Sequence, residues 1–137
     1  MGDYTGLRFK GYVKPEYRED FESIAMEGEW QLSKHQLFRN FSYQAEFRAS
    51  FIPCGVSCYM PTQWNEPCEF DRCYEADTGQ WVFQCSLKNY NEEIEKFMNM
   101  IPAFIETLEH LEVRYEEWQK SKFYELANGQ LREVNHE

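Results

Sequence analysis

Four of the five cysteines, Cys54, Cys58, Cys68 and Cys73, fall within twenty positions of one another, and three histidines accompany them in the chain. Four thiolates can close a tetrahedral zinc site. The spacing here is C-x3-C, nine residues, then C-x4-C, which lacks the tight knuckle pairs of a zinc ribbon. Cys54 and Cys58 also fall in a stretch that reads as a strand. Their sulfurs would then stand more than about 10 Å apart unless Gly55 bends the chain. Free thiols are the expected state of all four, and no cofactor is expected. Cys85 lies on the apolar face of another expected strand and belongs to a core. A cysteine nucleophile needs a histidine base in reach, and no spacing ties His35 or His110 to a particular thiol.

The second candidate chemistry is carboxylate chemistry. Glu106, Glu109, Glu112, Glu116 and Glu117 crowd the end of an expected helix and the strand that follows. Glu112 and Glu116 should share that strand's outer face with His110 and Arg114. Such a set can serve acid–base work or a metal. With Lys120 and Lys122 close by, cross-strand ion pairs on a polar sheet face account for the same residues more simply. The glycines spell neither GxGxxG nor GKS/GKT, so no phosphate loop is expected. Arg8, Lys10 and Lys14 with Tyr12 give one strand a basic, aromatic outer face. Single-strand platforms use that chemistry, but four residues followed by an acidic helix are too few for nucleic acid.

Composition narrows the classes further. The chain has 137 residues, 42% hydrophobic and 18% aromatic, with a net charge of −10. One domain of this length can bury its own core. Residues 1–60 carry seven Lys and Arg against eight Asp and Glu, whereas residues 61–137 carry seven against sixteen. The acidic second half disfavours a phosphate backbone as ligand and favours a basic protein surface. No apolar run is long enough to span a membrane, and no signal peptide is expected. Gly6 stands where a myristoylation pattern would have Ser or Thr. Reduced thiols in the cytoplasm are therefore expected.

The elements that must position these residues centre on Trp81 to Leu108. Trp81, Phe83, Cys85 and Leu87 alternate as one face of a strand. Asn91 then offers an N-cap to a helix carrying Ile94, Phe97, Met98, Ile101, Ile105 and Leu108, with a kink or stop at Pro102. Upstream, Leu7, Phe9 and Val13 alternate as a strand. A helix starting at Pro15 presents Tyr17, Phe21, Ile24 and Ala25 and ends at Gly28. A short helix is expected within residues 30–47, and a strand over residues 49–60 with a bulge or edge at Pro53. Residues 70–74 should pair with 81–87 through Asp77-Thr78-Gly79. Strands around Leu111–Tyr115, Phe123–Leu126 and Leu131–Val134 complete the chain, joined by turns at 119–121 and 127–129. Residues 135–137 should fray.

This order predicts a single α+β domain over residues 1–137. Its sheet is mostly antiparallel with two main helices on one face, in a ferredoxin-like, split β-α-β arrangement. The function expected is that of a small acidic, non-enzymatic protein-binding module. It would be an inhibitor or antagonist of the kind phages and mobile elements use as anti-defence or immunity proteins. It would occupy a basic surface on a partner through aromatic anchors and acidic steering. Trp64, Trp118, Glu112 and Glu116 are its expected contact residues. Trp30 and the tyrosines at positions 59, 74, 90 and 124 are further candidates for a surface patch. The alternative is a small-ligand or metal binder, at most a weak enzyme, with Cys54, Cys58, Cys68, Cys73 and His35 lining a pocket between sheet and helices. Edge-strand pairing into a homodimer is a third route.

Overall fold

A computed structural model describes residues 4–45, 49–55, 70–89 and 92–134. Its strands are β1 (Thr5–Val13), β2 (Cys73–Glu75), β3 (Gln80–Leu87), β4 (Ile105–Tyr115), β5 (Lys122–Ala127) and β6 (Gln130–Val134). Its helices are α1 (Glu22–Glu27), α2 (Gln36–Ala45), α3 (Phe51–Cys54) and α4 (Glu93–Phe104). The strands form one antiparallel sheet in the order β2-β3-β1-β4-β5-β6.

The first four strands obey the double split β-α-β rule. β1 and β2 run parallel with β3 between them, joined by α1–α3. β3 and β4 run parallel with β1 between them, joined by α4. This is the ferredoxin-like order, and the β5–β6 hairpin extends it beyond β4. Alternation sets the two faces. Leu7, Phe9 and Val13 on β1, Trp81, Phe83, Cys85 and Leu87 on β3, and Leu111 and Val113 on β4 are buried toward the helices. Arg8, Lys10 and Tyr12 point the other way. The helices answer with Phe21, Ile24, Phe38, Phe41, Ile94, Phe97, Ile101 and Phe104. Each such side chain contributes about 1.5–3 kcal/mol on burial. Among the described residues nine of the twenty aromatic side chains are buried, and they make up much of this core. Phe21, Trp81, Phe97 and Phe104 meet with centroids 4.9–6.4 Å apart, largely edge-on or tilted.

Several expectations are corrected. Pro15 opens only a 3₁₀ turn, Pro15–Tyr17, and α1 begins at Glu22. The Tyr74 hydroxyl donates to the Arg18 carbonyl at 2.7 Å, and the Arg18 Nε donates to the Val13 carbonyl at 2.7 Å. Both bonds hold the chain out of a continuous helix. Gly28 does end α1, with φ +67, its N–H on the Ile24 carbonyl and the N–H of Glu29 on that of Ser23. The strand expected over 49–60 is, in its described part, the helical turn α3. Its Cys54 N–H bonds the Ser50 carbonyl at 3.0 Å, and Ile52 presents its carbonyl to the Trp30 indole at 2.7 Å. Trp30 is thus wholly buried and takes no part in a surface patch.

The long helix is also shorter than its periodicity suggests. Asn91 lies outside the described residues. Among the described residues Asn89 supplies an acceptor at this end, its Oδ1 taking the Ile94 N–H at 2.9 Å. At the other end Pro102 sits in the last turn, and the Phe104 carbonyl turns to accept the Lys14 N–H at 2.8 Å. Ile105 is already extended and pairs with Val13. Ile105 and Leu108 are therefore strand residues that coincidentally keep a helical period. β2 starts at Cys73, so Phe70 is left off the ladder.

Candidate functional site

The carboxylate cluster read from the sequence becomes a closed polar network on the sheet face opposite the helices. Register places Arg8 directly across from Glu112 and Glu112 across from Phe123. Residues so paired share a face. Arg8 Nη1 lies 3.2 Å from Glu112 Oε1, and Arg8 Nε donates to Gln84 Oε1 at 2.6 Å. His110 Nε2 lies 2.8 Å from the same Glu112 oxygen, and the Ser121 hydroxyl donates to Oε2 at 2.5 Å. Phe70 and Phe123 flank the imidazole with centroids at 4.8 and 5.7 Å, and Phe70 also lies under the Arg8 guanidinium at 5.4 Å. Glu112 is only 6% exposed. Burial alone would raise its carboxyl. The bonds from His110 and Ser121 and the charge of Arg8 outweigh burial and hold it down at about 2. Serine and histidine each touch the carboxylate, and the carboxylate is central. A nucleophilic triad needs the histidine in that place.

Glu112 therefore sits inside the fold with its charge answered from within, away from any steering surface. Glu116 accepts the Tyr4 N–H with its carboxylate and donates its own N–H to the Tyr4 carbonyl at 3.0 Å, tying down the start of β1. Trp118 is half-buried at the β4–β5 turn, beneath Lys122 Nζ at 4.8 Å and beside Tyr115 at 6.1 Å. Trp64, Tyr59 and Tyr90 lie outside the described residues. Among the described residues, the most exposed large apolar side chains are ones the periodicity did not single out, Tyr43 at 87% and Leu32 at 67%.

Among the described residues, Cys54, Cys73 and His35 do not converge. Cys58 and Cys68 lie outside the described residues. Cys54 Sγ rests 3.6 Å from the Met26 carbonyl, while Cys73 is exposed on the edge strand β2. Burial raises the Cys54 thiol, and Glu27 adds to that against the pull of Arg72. His35 packs on Tyr17 at 4.7 Å and Phe38 at 5.8 Å, with Asp20 Oδ1 at 3.5 Å from Nε2. Among the described residues no three His, Cys, Asp or Glu side chains gather as metal ligands. No helix among them is long and apolar enough to cross a membrane.

The site that sequence reading missed lies where the added hairpin leaves the shelter of the helices. α4 covers β4 and reaches β6, and between them runs a cleft of about 440 Å³. That volume is within the range of ligand sites. Met98 of α4 and Tyr124 and Leu131 of the hairpin supply its apolar lining. Glu95, Asn99, Gln130, Arg132 and Glu133 supply the polar one. Arg132 is drawn toward Glu125 by a side-chain ion pair. Burial first, then the charges of Glu133 and Glu95, raise the Tyr124 phenol, so both carboxylates are felt at that ring. Leu131 and Glu133 alternate with Arg132, and that period of two was the available signal. What it could not reveal was that α4 ends up alongside. Compared with protein-family models, curated proteins and solved structures, the chain matches none.

Proposed function

We propose that this chain is a non-enzymatic protein-binding module, of the inhibitor or antagonist kind, which holds a segment of a partner protein in the cleft between α4 and the β5–β6 hairpin. One observation carries the reading. An apolar floor of Met98, Tyr124 and Leu131, bordered by the carboxylates of Glu95 and Glu133, opens beside β6, the last strand of the sheet. Apolar contact at the centre with charge around it is how a protein interface combines affinity with steering. The chain's net charge of −10 favours a basic partner. Trp118 keeps its place as a candidate anchor at the neighbouring turn.

The test places a photo-crosslinking residue at Asn99, exposed in the cleft, and separately at Ala76, exposed at the far edge of the sheet. Each variant is used to capture partners from lysate of the source cells. The expected result is one stoichiometric protein joined through position 99 and not through position 76. Capture should weaken as salt rises through the range that screens surface charges. A partner joined only through position 76, or no partner at either position, would overturn the assignment.

A further inference from the structure

The geometry of the hairpin specifies how a segment would sit in the cleft, on the premise that the cleft is a protein-binding site. Asn128 and Gly129 both have positive φ, 55° and 73°, and are the whole connection between β5 and β6. A two-residue turn of this kind closes on a bonded pair. The closing pair is Ala127 with Gln130. Bonded and non-bonded pairs alternate along an antiparallel ladder. Glu125 with Arg132 and Phe123 with Val134 are therefore the next bonded pairs. The N–H and C=O groups of Gln130, Arg132 and Val134 turn inward to β5, and those of Leu131 and Glu133 turn outward along the free edge. No further strand lies beyond β6 among the described residues. The two residues with outward backbone groups, Leu131 and Glu133, are also cleft-lining residues, as is Tyr124, which pairs with Glu133.

We infer that β6 is a docking edge for an extended, basic segment of the partner protein, which adds to the sheet as another strand and places a Lys or Arg side chain between Glu95 and Glu133. Strand addition supplies affinity through main-chain bonds to Leu131 and Glu133. Specificity comes from alternate side chains that reach the cleft. The residue two positions from the base meets Met98, Tyr124 and Leu131, which calls for an apolar, β-branched side chain. Charge selects this occupant over a second copy of the chain. A dimer through β6 would bring together two molecules of net charge −10 and two Glu133 edges.

The test is selection of displayed random heptapeptides on the full chain, followed by synthesis of the winners with each backbone amide N-methylated in turn. The expected winners carry Lys or Arg two positions from Val or Ile. Methylation should weaken binding roughly tenfold at every second amide and little at those between. Glu133→Gln and Glu95→Gln should each cost roughly fivefold. Uniform sensitivity to methylation, enrichment of a helical period, no enrichment, or a dimer that buries the β6 edge in sedimentation would each overturn the inference. A partner that still cross-links through Asn99 in any of those cases leaves the protein-binding reading standing. Loss of that cross-link removes the reading itself.

Discussion

Replacing Glu112 with Gln tests whether the polar network is held for stability. The substitution keeps the shape and one acceptor but removes the charge that Arg8, His110 and Ser121 surround. Against an ordinary value of 4.5, a carboxyl held at about 2 corresponds to about 3 kcal/mol of native-state stability at neutral pH. The side chains of Arg8 and Glu112 are 13% and 8% exposed, so solvent does little to screen the pair. Breaking a buried pair from one side costs about 3–5 kcal/mol, which agrees in size. The folded value lies below the unfolded one. The contribution is therefore complete above about pH 4.5 and fades as pH falls toward 2. By pH 3 about 2 kcal/mol of it should be gone. Urea unfolding followed by tryptophan fluorescence at pH 7, 5 and 3 would measure this. E112Q should be less stable by about 3 kcal/mol at pH 7, and the gap should shrink to about 1 kcal/mol at pH 3. Equal stabilities at pH 7, or a gap that does not change with pH, would refute the reasoning and return Glu112 to the candidates for partner contact.

Two further substitutions probe how the helical layer is pinned. Trp30→Phe keeps a ring in the core but leaves the buried Ile52 carbonyl without its indole donor, and should cost about 1–3 kcal/mol in chemical denaturation. A loss below about 0.5 kcal/mol would show that the bond is dispensable. Gly28→Ala and Gly129→Ala both place a side chain at positive φ, 67° and 73°. Only at Gly28 would the new Cβ meet backbone, 2.7 Å from the Ser50 oxygen, while at Gly129 nothing lies within 4 Å. G129A should therefore cost about 1–2 kcal/mol, the backbone term alone. G28A should lower the melting temperature distinctly more, and equal losses would mean that α3 yields freely at Ser50.

Alternation was the part of the fold most legible in the sequence, because a period of two commits every other side chain to one face. Leu7, Phe9 and Val13, and Trp81, Phe83, Cys85 and Leu87, could be placed on that basis. The turns at Gly79, Gly28 and Asn128–Gly129 could also be placed, because positive φ selects glycine and asparagine. Helix extents were less legible where tertiary bonds decide them. Nothing local announces that Tyr74 will take the Arg18 carbonyl, or that Lys14 will take that of Phe104. Trp30 looked like a surface residue because it stands between elements, yet its donor finds Ile52 twenty-two positions away. Glu112 was correctly placed on the outer face with His110. Outer-face position implied exposure only on the assumption that Phe70 would stay in the β2 ladder. In the structure it lies against Arg8 and His110.

The hairpin raises a question that the rest of the sheet does not. β1 to β4 with their helices already close the double split, and every fully buried large side chain comes from that part or from its connections. β5 and β6 contribute only partly buried packing, Tyr124, Leu126 and Leu131. A two-stranded ribbon on the flank of a finished core adds little burial and, among the described residues, leaves an edge with no further strand, which proteins ordinarily shorten, charge or cover. Here the edge is five residues long and its outward groups belong to Leu131 and Glu133. Its basic residue Arg132 is engaged with Glu125. Charge on the cleft side thus blunts the edge only toward acidic neighbours. On our proposal a basic strand meets attraction at Glu95 and Glu133, an apolar floor, and main-chain groups that no described strand pairs, at one place. The opposite, polar face of the sheet has its charges answered internally by Arg8, Glu112 and His110. Glu112 is answered by the Arg8 guanidinium, whereas Glu95 accepts the neutral Asn89 amide at 2.7 Å and keeps its charge uncompensated by that bond, and that difference is why we propose binding on the hairpin side.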